Sequence, residues 1–432
     1  MNLPSAASSQ QPGSPDPNFG NNGVAALEWI LKKHPDFIVT HHFKGLTTTL
    51  DGKVLFSANL FHNGNYVFGL GRLNAAGSLD DSWGNNGLVS GMFLPLTQAG
   101  GSRLAVQPDG KILMLGWTWR DQDTPWADLV IARFDSQGTL DPQFANAGVC
   151  ILLTHQSEGL TEDSATVYLQ HDGSILVSAN YAQRAAPTMT NGTVFRLQPN
   201  GQLDPSLNGN GRLDFKLPVA NAATAVNACI SQGNRHKIVI VGHARFDPAT
   251  DTAFVARLNH DGTLDTTFGL PQTPGYHTVG ISGEHTTFNA LVERADNSIV
   301  AAGQVGVIGA GTTQGLLRAI TPDGAPHLPF NNGQLLRSQF DNKRDNGWQC
   351  VMSTNAGNIV TASRGGWIYV ARFKADGTLD LIFDRKGYTD MQSPVVTDPV
   401  LLTERGDQRI IVAANTLGIT PEGVGVIRGF LG

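Results

Sequence analysis

Apolar residues fall along this chain in short bursts, each announced by a turn. The clearest are Val54-Leu55-Phe56, Ile112-Leu113-Met114 and Ile175-Leu176-Val177, which follow Asp51-Gly52, Asp109-Gly110 and Asp172-Gly173. Weaker copies run Lys237-Ile238-Val239-Ile240, Ser298-Ile299-Val300, Asn358-Ile359-Val360 and Arg409-Ile410-Ile411-Val412, making seven. An uninterrupted apolar run of this length between turns is expected of a strand covered on both faces. The segment before each turn alternates instead, as in Arg103-Leu104-Ala105-Val106-Gln107, and reads as a strand with two unlike faces.

A second signature follows each run. Its best copy is Ala132-Arg133-Phe134-Asp135-Ser136-Gln137-Gly138-Thr139-Leu140-Asp141-Pro142-Gln143-Phe144, and related stretches begin at Arg72, Arg196, Arg257, Arg318 and Arg372. The seventh copy is split: Val426-Ile427-Arg428-Gly429-Phe430 ends the sequence, and Asp16-Pro17-Asn18-Phe19-Gly20-Asn21-Asn22-Gly23 begins it. A repeat finished by the chain's own first residues brings the two ends together, as in a closed ring rather than a capped solenoid. With the Arg-bearing strand third and a Gly-rich turn opening onto a fourth, such as Val149-Cys150-Ile151-Leu152-Leu153, each unit has four strands. The expected fold is all-β: a seven-bladed β-propeller, four antiparallel strands per blade, closed by an N-terminal strand that completes the C-terminal blade.

The expected layout is a disordered tail over 1–14 and a single propeller over 15–432. Its blades span approximately 41–95, 96–154, 155–216, 217–280, 281–337, 338–391 and 392–432 plus 15–30. The insertion Leu27 to Phe37 has helical composition up to Pro35 and reads as a small lid, a partner patch or an extended fourth strand.

Composition agrees and excludes several classes. Of 432 residues, 50 are Gly and 22 Pro while only 15% are charged, which favours short strands and turns over salt-bridged helices. Thirty Lys plus Arg against 36 Asp plus Glu give a net charge of -6, no footprint for nucleic acid, and no run long enough for a membrane helix. The polar start Met1 to Pro17 carries no Sec signal, leaving cytoplasm or leaderless secretion open. Cys150, Cys229 and Cys350 sit in apolar stretches and read as buried free thiols.

The recurring Ala-Arg-Leu/Phe, Asp-Gly-Thr-Leu-Asp and Phe-Gly-Asn-Asn-Gly elements resemble the delta-60 repeat of bacterial secreted and surface-associated proteins, over essentially the whole chain after residue 15. That resemblance implies a propeller-like repeat fold and neither an enzymatic activity nor a known ligand. Two departures are visible: His327 stands where the motif has Asp, and Trp83 replaces the motif Phe.

Residues present in every blade are explained first by what every blade needs. Arg72, Arg133, Arg196, Arg257, Arg318, Arg372 and Arg428 are expected to pair with the turn carboxylates Asp16, Asp80, Asp141, Asp204, Asp265 and Asp380, or with loop carbonyls, in preference to forming an anion funnel. Asx-type turns account for the same aspartates without calcium, since no copy has an EF-hand ladder. No metal and no cofactor are expected: a zinc site from His42, His243 and His285 is conceivable, and solvated or satisfied histidines are the favoured reading.

Function is sought where blades differ, on the face formed by the second-to-third-strand loops and the inter-blade loops. Asn59, Trp117, Asn180, His243, Gln304, Arg364 and Asn415 are read as the residues ending each second strand, converging near the channel mouth. Blade 2 adds Trp119, Arg120 and Trp126, flat indoles beside charged groups, suited to a sugar or a cation or to packing in a contact. Arg184 and Arg245 join Arg120 and Arg364 as a possible basic rim, and Arg344 and Asp345 also lie in inter-blade loops. The expected function is a non-catalytic binding or interaction propeller, monomeric, recognising a glycan, a cell surface or a protein partner through these residues. The alternative is a propeller lyase or hydrolase using Glu162, Asp163, Glu284 and His285. No GxSxG elbow, P-loop or dinucleotide fingerprint is present.

Overall fold

The computed structural model describes residues 11–37, 43–119, 127–153, 158–160, 165–183, 186–219, 223–233, 236–247, 250–307, 312–363, 367–391, 396–416 and 425–432. They form a seven-bladed β-propeller of four-stranded antiparallel blades. Blade 1 runs from the axis outward as Phe43–Thr48, Val54–His62, Asn65–Leu73 and Leu88–Gly91. Blade 2 is Gln98–Val106, Ile112–Trp119, Asp128–Phe134 and Val149–Leu153. Blade 6, which matters below, is Trp348–Ser353, Ile359–Ser363, Ile368–Phe373 and Tyr388–Met391. In blade 3 a further short strand, Glu158–Leu160, pairs with the second strand beside the innermost one.

Closure is by backbone pairing of the two ends. Val24, Ala25 and Ala26 pair antiparallel with Arg428, Ile427 and Val426, so the N-terminal strand is the outermost strand of blade 7. Asp16 N–H donates to Gly429 O at 2.8 Å and Leu431 N–H to Ser14 O at 3.0 Å, extending the same seam. The core follows from the pattern of two-sided burial: seven apolar clusters, each built from facing sheets of adjacent blades.

The turns explain the repeated polar residues. Gly110 takes φ +83°, a conformation costly for residues with a Cβ, while Asp109 Oδ1 accepts from Lys111 N–H at 3.1 Å to close the turn. Gly138 is at φ +87°, where a Cβ would lie 2.6 Å from the Trp83 ring of the preceding blade.

The arginines clamp these turns. Arg72, Arg133, Arg196, Arg257 and Arg372 each donate Nε–H to the aspartate eight residues on, at 3.0, 2.9, 2.7, 2.8 and 2.8 Å. The other oxygen of each aspartate accepts a backbone N–H two residues further, as from Gln143 to Asp141. The guanidinium also lies over the motif ring, 4.7 Å from Phe144 for Arg133 and 4.8 Å from Phe268 for Arg257. It crosses the blade seam too: Arg133 Nη1 donates to Pro199 O at 2.6 Å, and Arg196 Nη1 to His260 O at 2.7 Å. Burial alone would raise the Asp265 pKa, but hydrogen bonds from Thr267 and Lys237 and the Arg257 charge outweigh it and hold it at about 2.

Two copies depart from the expected pairing. In blade 5, His327 replaces the carboxylate and lies 3.5 Å from Asp296, so among the described residues Arg318 bonds from Nη1 to Gly333 O (2.7 Å) and its buried Nε meets no partner. In the closing copy, buried Asp16 forms an ion pair with Arg409 at 2.5 Å and approaches Arg405 at 3.9 Å. The insertion after the closing strand is short: a helical turn over Leu27–Ile30 and a 3-10 turn over Leu31–Lys33, ending before Pro35. Lys33 pairs with Asp81 at 2.6 Å, anchoring it to blade 1.

Candidate functional site

The second-strand residues expected at the channel mouth do not end their strands. Val54–His62, Ile112–Trp119, Ile175–Gln183 and Lys237–Asp247 continue past Asn59, Trp117, Asn180 and His243, and Ile299–Val307 and Ile410–Thr416 past Gln304 and Asn415. Several of these side chains enter the seam toward the innermost strand of the next blade. Asn415 accepts from Phe43 N–H and donates to Phe43 O, both at 2.8 Å, imitating a strand partner. Asn180 likewise accepts from Val226 N–H at 2.8 Å and donates to Asn227 Oδ1 at 3.2 Å.

The reason is a β-bulge in the innermost strands. The ladder skips Lys44, Asn227, Asn289 and Gln349, which frees neighbouring backbone groups for side-chain partners. Asn227 and Asn289 extend the stapling, each donating to the next blade's backbone, Phe288 O and Trp348 O, at 2.8 Å. Trp117 faces the Tyr66 ring at 6.3 Å and packs closely on Gly100. Gln304 lies against Gly347. His243 is largely enclosed, and burial together with the Arg245 charge lowers its pKa against the opposing pull of Asp251.

The remaining expected residues are dispersed. Glu284 is held by Arg337 at 2.5 Å, whereas its neighbour His285 accepts from Asp251 N–H at 3.0 Å. The structure therefore commits these two to separate contacts. Arg245 pairs with Asp251 at 2.7 Å. Trp119 is half-buried at the end of its strand, paired with Gln98. His41, His42, Arg120, Trp126, Glu162, Asp163, Arg184 and Arg364 lie outside the described residues.

A different site emerges on the same loop face, at the seam of blades 5 and 6. It is an open cleft of about 520 Å³ whose walls are Phe340, Trp367, Tyr369 and Tyr388, with Gln339, Asp341, Asn342 and Asp390 supplying polar groups. Strand alternation builds one wall: Tyr369 is the cross-strand partner of Asp390, Trp367 lies two residues before Tyr369, and Tyr388 two before Asp390. Phe340 stacks on Tyr388 with centroids 4.1 Å apart and 23° between planes, and Tyr369 meets Tyr388 edge-on at 6.0 Å.

The opposite wall is the inter-blade loop 339–347, organised by one buried amide. Asn346 Oδ1 accepts from Phe340 N–H at 2.7 Å, and its Nδ2 donates to Asp341 O (2.8 Å) and Arg344 O (2.6 Å). Asp345 accepts from Thr313 N–H at 2.9 Å, tying the loop to blade 5. Arg344 lies on the Trp367 face, 3.3 Å from its centroid, and reaches Asp341 at 3.2 Å. Burial, with the Asp341 and Asp390 charges, pushes the Tyr369 hydroxyl above its ordinary value despite the opposing Arg344. Sequence reasoning flagged Arg344 and Asp345 but missed the aromatics. The available signal was the spacing Trp367-Ile368-Tyr369 leading into the third strand and Tyr388-Thr389-Asp390 on its partner, the fourth.

A second, more apolar groove of about 740 Å³ runs along the edge of blade 1, between His34 and Phe37 of the insertion and Leu88 to Phe93. Phe37 packs on His62 at 4.7 Å, so the insertion forms its wall.

Comparisons with known proteins agree on architecture. A family model described as a domain of unknown function (DUF5122) beta-propeller matches residues 107–144 and 237–268, the apolar run, Arg strand and turn of blades 2 and 4. No curated protein matches. Among solved structures, the polysaccharide lyase Uly1 is similar with a TM-score of 0.53 at 11% identity, over 91% of each chain. A protein of unknown function from Dyadobacter fermentans (TM-score 0.46, 10% identity, 94% of this chain and 98% of that one) is also similar. So is an alpha-L-arabinanase from Penicillium chrysogenum (0.45, 13%, 78% and 94%). At these identities the likeness is one of fold.

Proposed function

We propose that this chain is a non-catalytic saccharide-binding propeller whose ligand lies in the cleft between blades 5 and 6. The observation carrying the reading is four aromatic rings around a cleft that also presents two carboxylates and two carboxamides. The apolar C–H face of a sugar stacks on such rings, while its hydroxyls donate to carboxylates and bond with amides. The cleft volume suits a small ligand, and the rigid blades with the Asn346-held loop lower the ordering cost of binding. Trp119, on the same loop face, is a second stacking surface in this reading. The delta-60 resemblance belongs to the same proposal, as the repeat type of the scaffold.

Glycan-array screening followed by calorimetry on wild type and Tyr388→Ala tests it. The expected result is saccharide binding by the wild type and a loss of about tenfold or more in the variant, for a stacking contact of roughly 1.4 kcal/mol. Absence of any saccharide ligand, or equal affinity in the variant, removes the reading. Release of reducing ends from a bound saccharide at any pH moves it to the enzyme alternative, with Asp341 and Asp390 as the carboxyl pair to mutate.

A further inference from the structure

The polar lining of the blade 5/6 cleft has a sign. Asp341 and Asp390 line it, its other polar lining residues are the neutral Gln339 and Asn342, and among the described residues no basic side chain lines it. Two cations of the described residues are already seated on ring-and-carboxylate pairs at its edge. Arg344 lies on Trp367 (3.3 Å) and Asp341 (3.2 Å). Lys386 lies over Tyr388 (4.5 Å), with Asp390 at 3.6 Å and Asp384 at 3.8 Å. The cleft thus holds its own cations twice by the chemistry an incoming ammonium uses, an electron-rich ring face backed by a carboxylate.

We infer that the cleft selects a saccharide bearing a free, protonated amine over its neutral N-acetylated counterpart, and excludes acidic sugars such as uronates. This rests on the saccharide reading above and adds the charge class of the ligand. The exposed edges of Phe340, Trp367 and Tyr388 contact the apolar side of any sugar, whereas an ammonium gains in addition from Asp341 and Asp390. Three carboxylates, Asp341, Asp384 and Asp390, stand there against Arg344 and Lys386, so a ligand carboxylate meets a net negative surface and is disfavoured.

The experiment compares three probes: a glucosamine oligomer, the matched N-acetylglucosamine oligomer and an oligogalacturonate. Each is titrated calorimetrically at low salt and about pH 5.5 into wild type and into Asp341→Asn/Asp390→Asn. The wild type is expected to bind the free-amine oligomer about tenfold tighter than the acetylated one and to show no uronate binding. In the double variant that advantage falls to about threefold or less while the acetylated oligomer still binds, which also reports an intact cleft. Equal or tighter wild-type binding of the acetylated or uronate oligomer overturns the charge selection and leaves the saccharide reading standing. A free-amine preference unchanged in the double variant overturns the role of the two carboxylates. Failure of all three probes to bind overturns both proposals.

Discussion

Blades 4 and 5 carry the same buried arginine in two different settings. Arg257 is saturated: Nε on Asp265, Nη1 on Gln232 and Pro322 O, Nη2 on Thr267, its face over Phe268. Arg318 has Gly333 O and no carboxylate, and burial lowers its pKa. The propeller closes all the same, so the sevenfold arginine is a clamp that one blade can weaken rather than a shared ligand site. Chemistry confined to one seam must come from what that seam alone possesses, and the seam beyond blade 5 possesses the aromatic cleft.

The comparison breaks most sharply on paired substitutions. Arg257→Met leaves buried Asp265 with Lys237, at 3.1 Å, as its remaining cation and is expected to cost about 3 kcal/mol in urea denaturation, the lower end for breaking one side of a buried ion pair. Arg318→Met strands no carboxylate and should cost less than half as much. Equal costs would mean the clamp energy lies in packing on the motif ring and not in the ion pair.

Acid should find blade 4's outer strand next. Burial and the nearby Arg318 charge hold the His277 imidazole down at about 4. The folded state therefore prefers the neutral ring: the contribution is complete above the unfolded value of about 6.5 and is lost as pH falls from there to about 4. The expected loss is at most about 3 kcal/mol, partly screened by solvent at this incompletely buried site. Asp265, held at about 2, begins to lose its contribution only at the acid end of that window and loses most of it below pH 4. Denaturation midpoints at pH 7 and pH 4.5 check this, and His277→Gln should flatten the slope.

A smaller effect is expected on the loop side. Asn346→Ala strands Phe340 N–H and two carbonyls, a cost of about 2 kcal/mol, and should weaken saccharide binding by loosening the cleft wall. Denaturation and calorimetry on the same variant read both.

The two halves of the account were unequally legible in the sequence. Blade number, strand order and ring closure follow from local signals: Asp-Gly turns, apolar runs and a motif split between Asp16 and Arg428. The site does not. Asn180 and Asn415 lie in strands covered on both faces, where alternation cannot say which side chains enter a seam, and the bulges at Asn227 and Lys44 that call for their amides leave no motif. The cleft draws Phe340 and Asn346 from a loop, Trp367 from just before a strand, and Tyr369, Tyr388 and Asp390 from two strands joined by a long turn. Its register could be read only after Tyr369 and Asp390 were known to be partners.

The most direct measurement is a crystal structure of the protein soaked with its best-binding oligosaccharide. The account expects a sugar ring packed against the exposed aromatic wall of Phe340, Trp367 and Tyr388, with a polar group within hydrogen-bond reach of Asp341 or Asp390. A ligand bound in the central channel, or beside Trp119 with the blade 5/6 cleft empty, would contradict it.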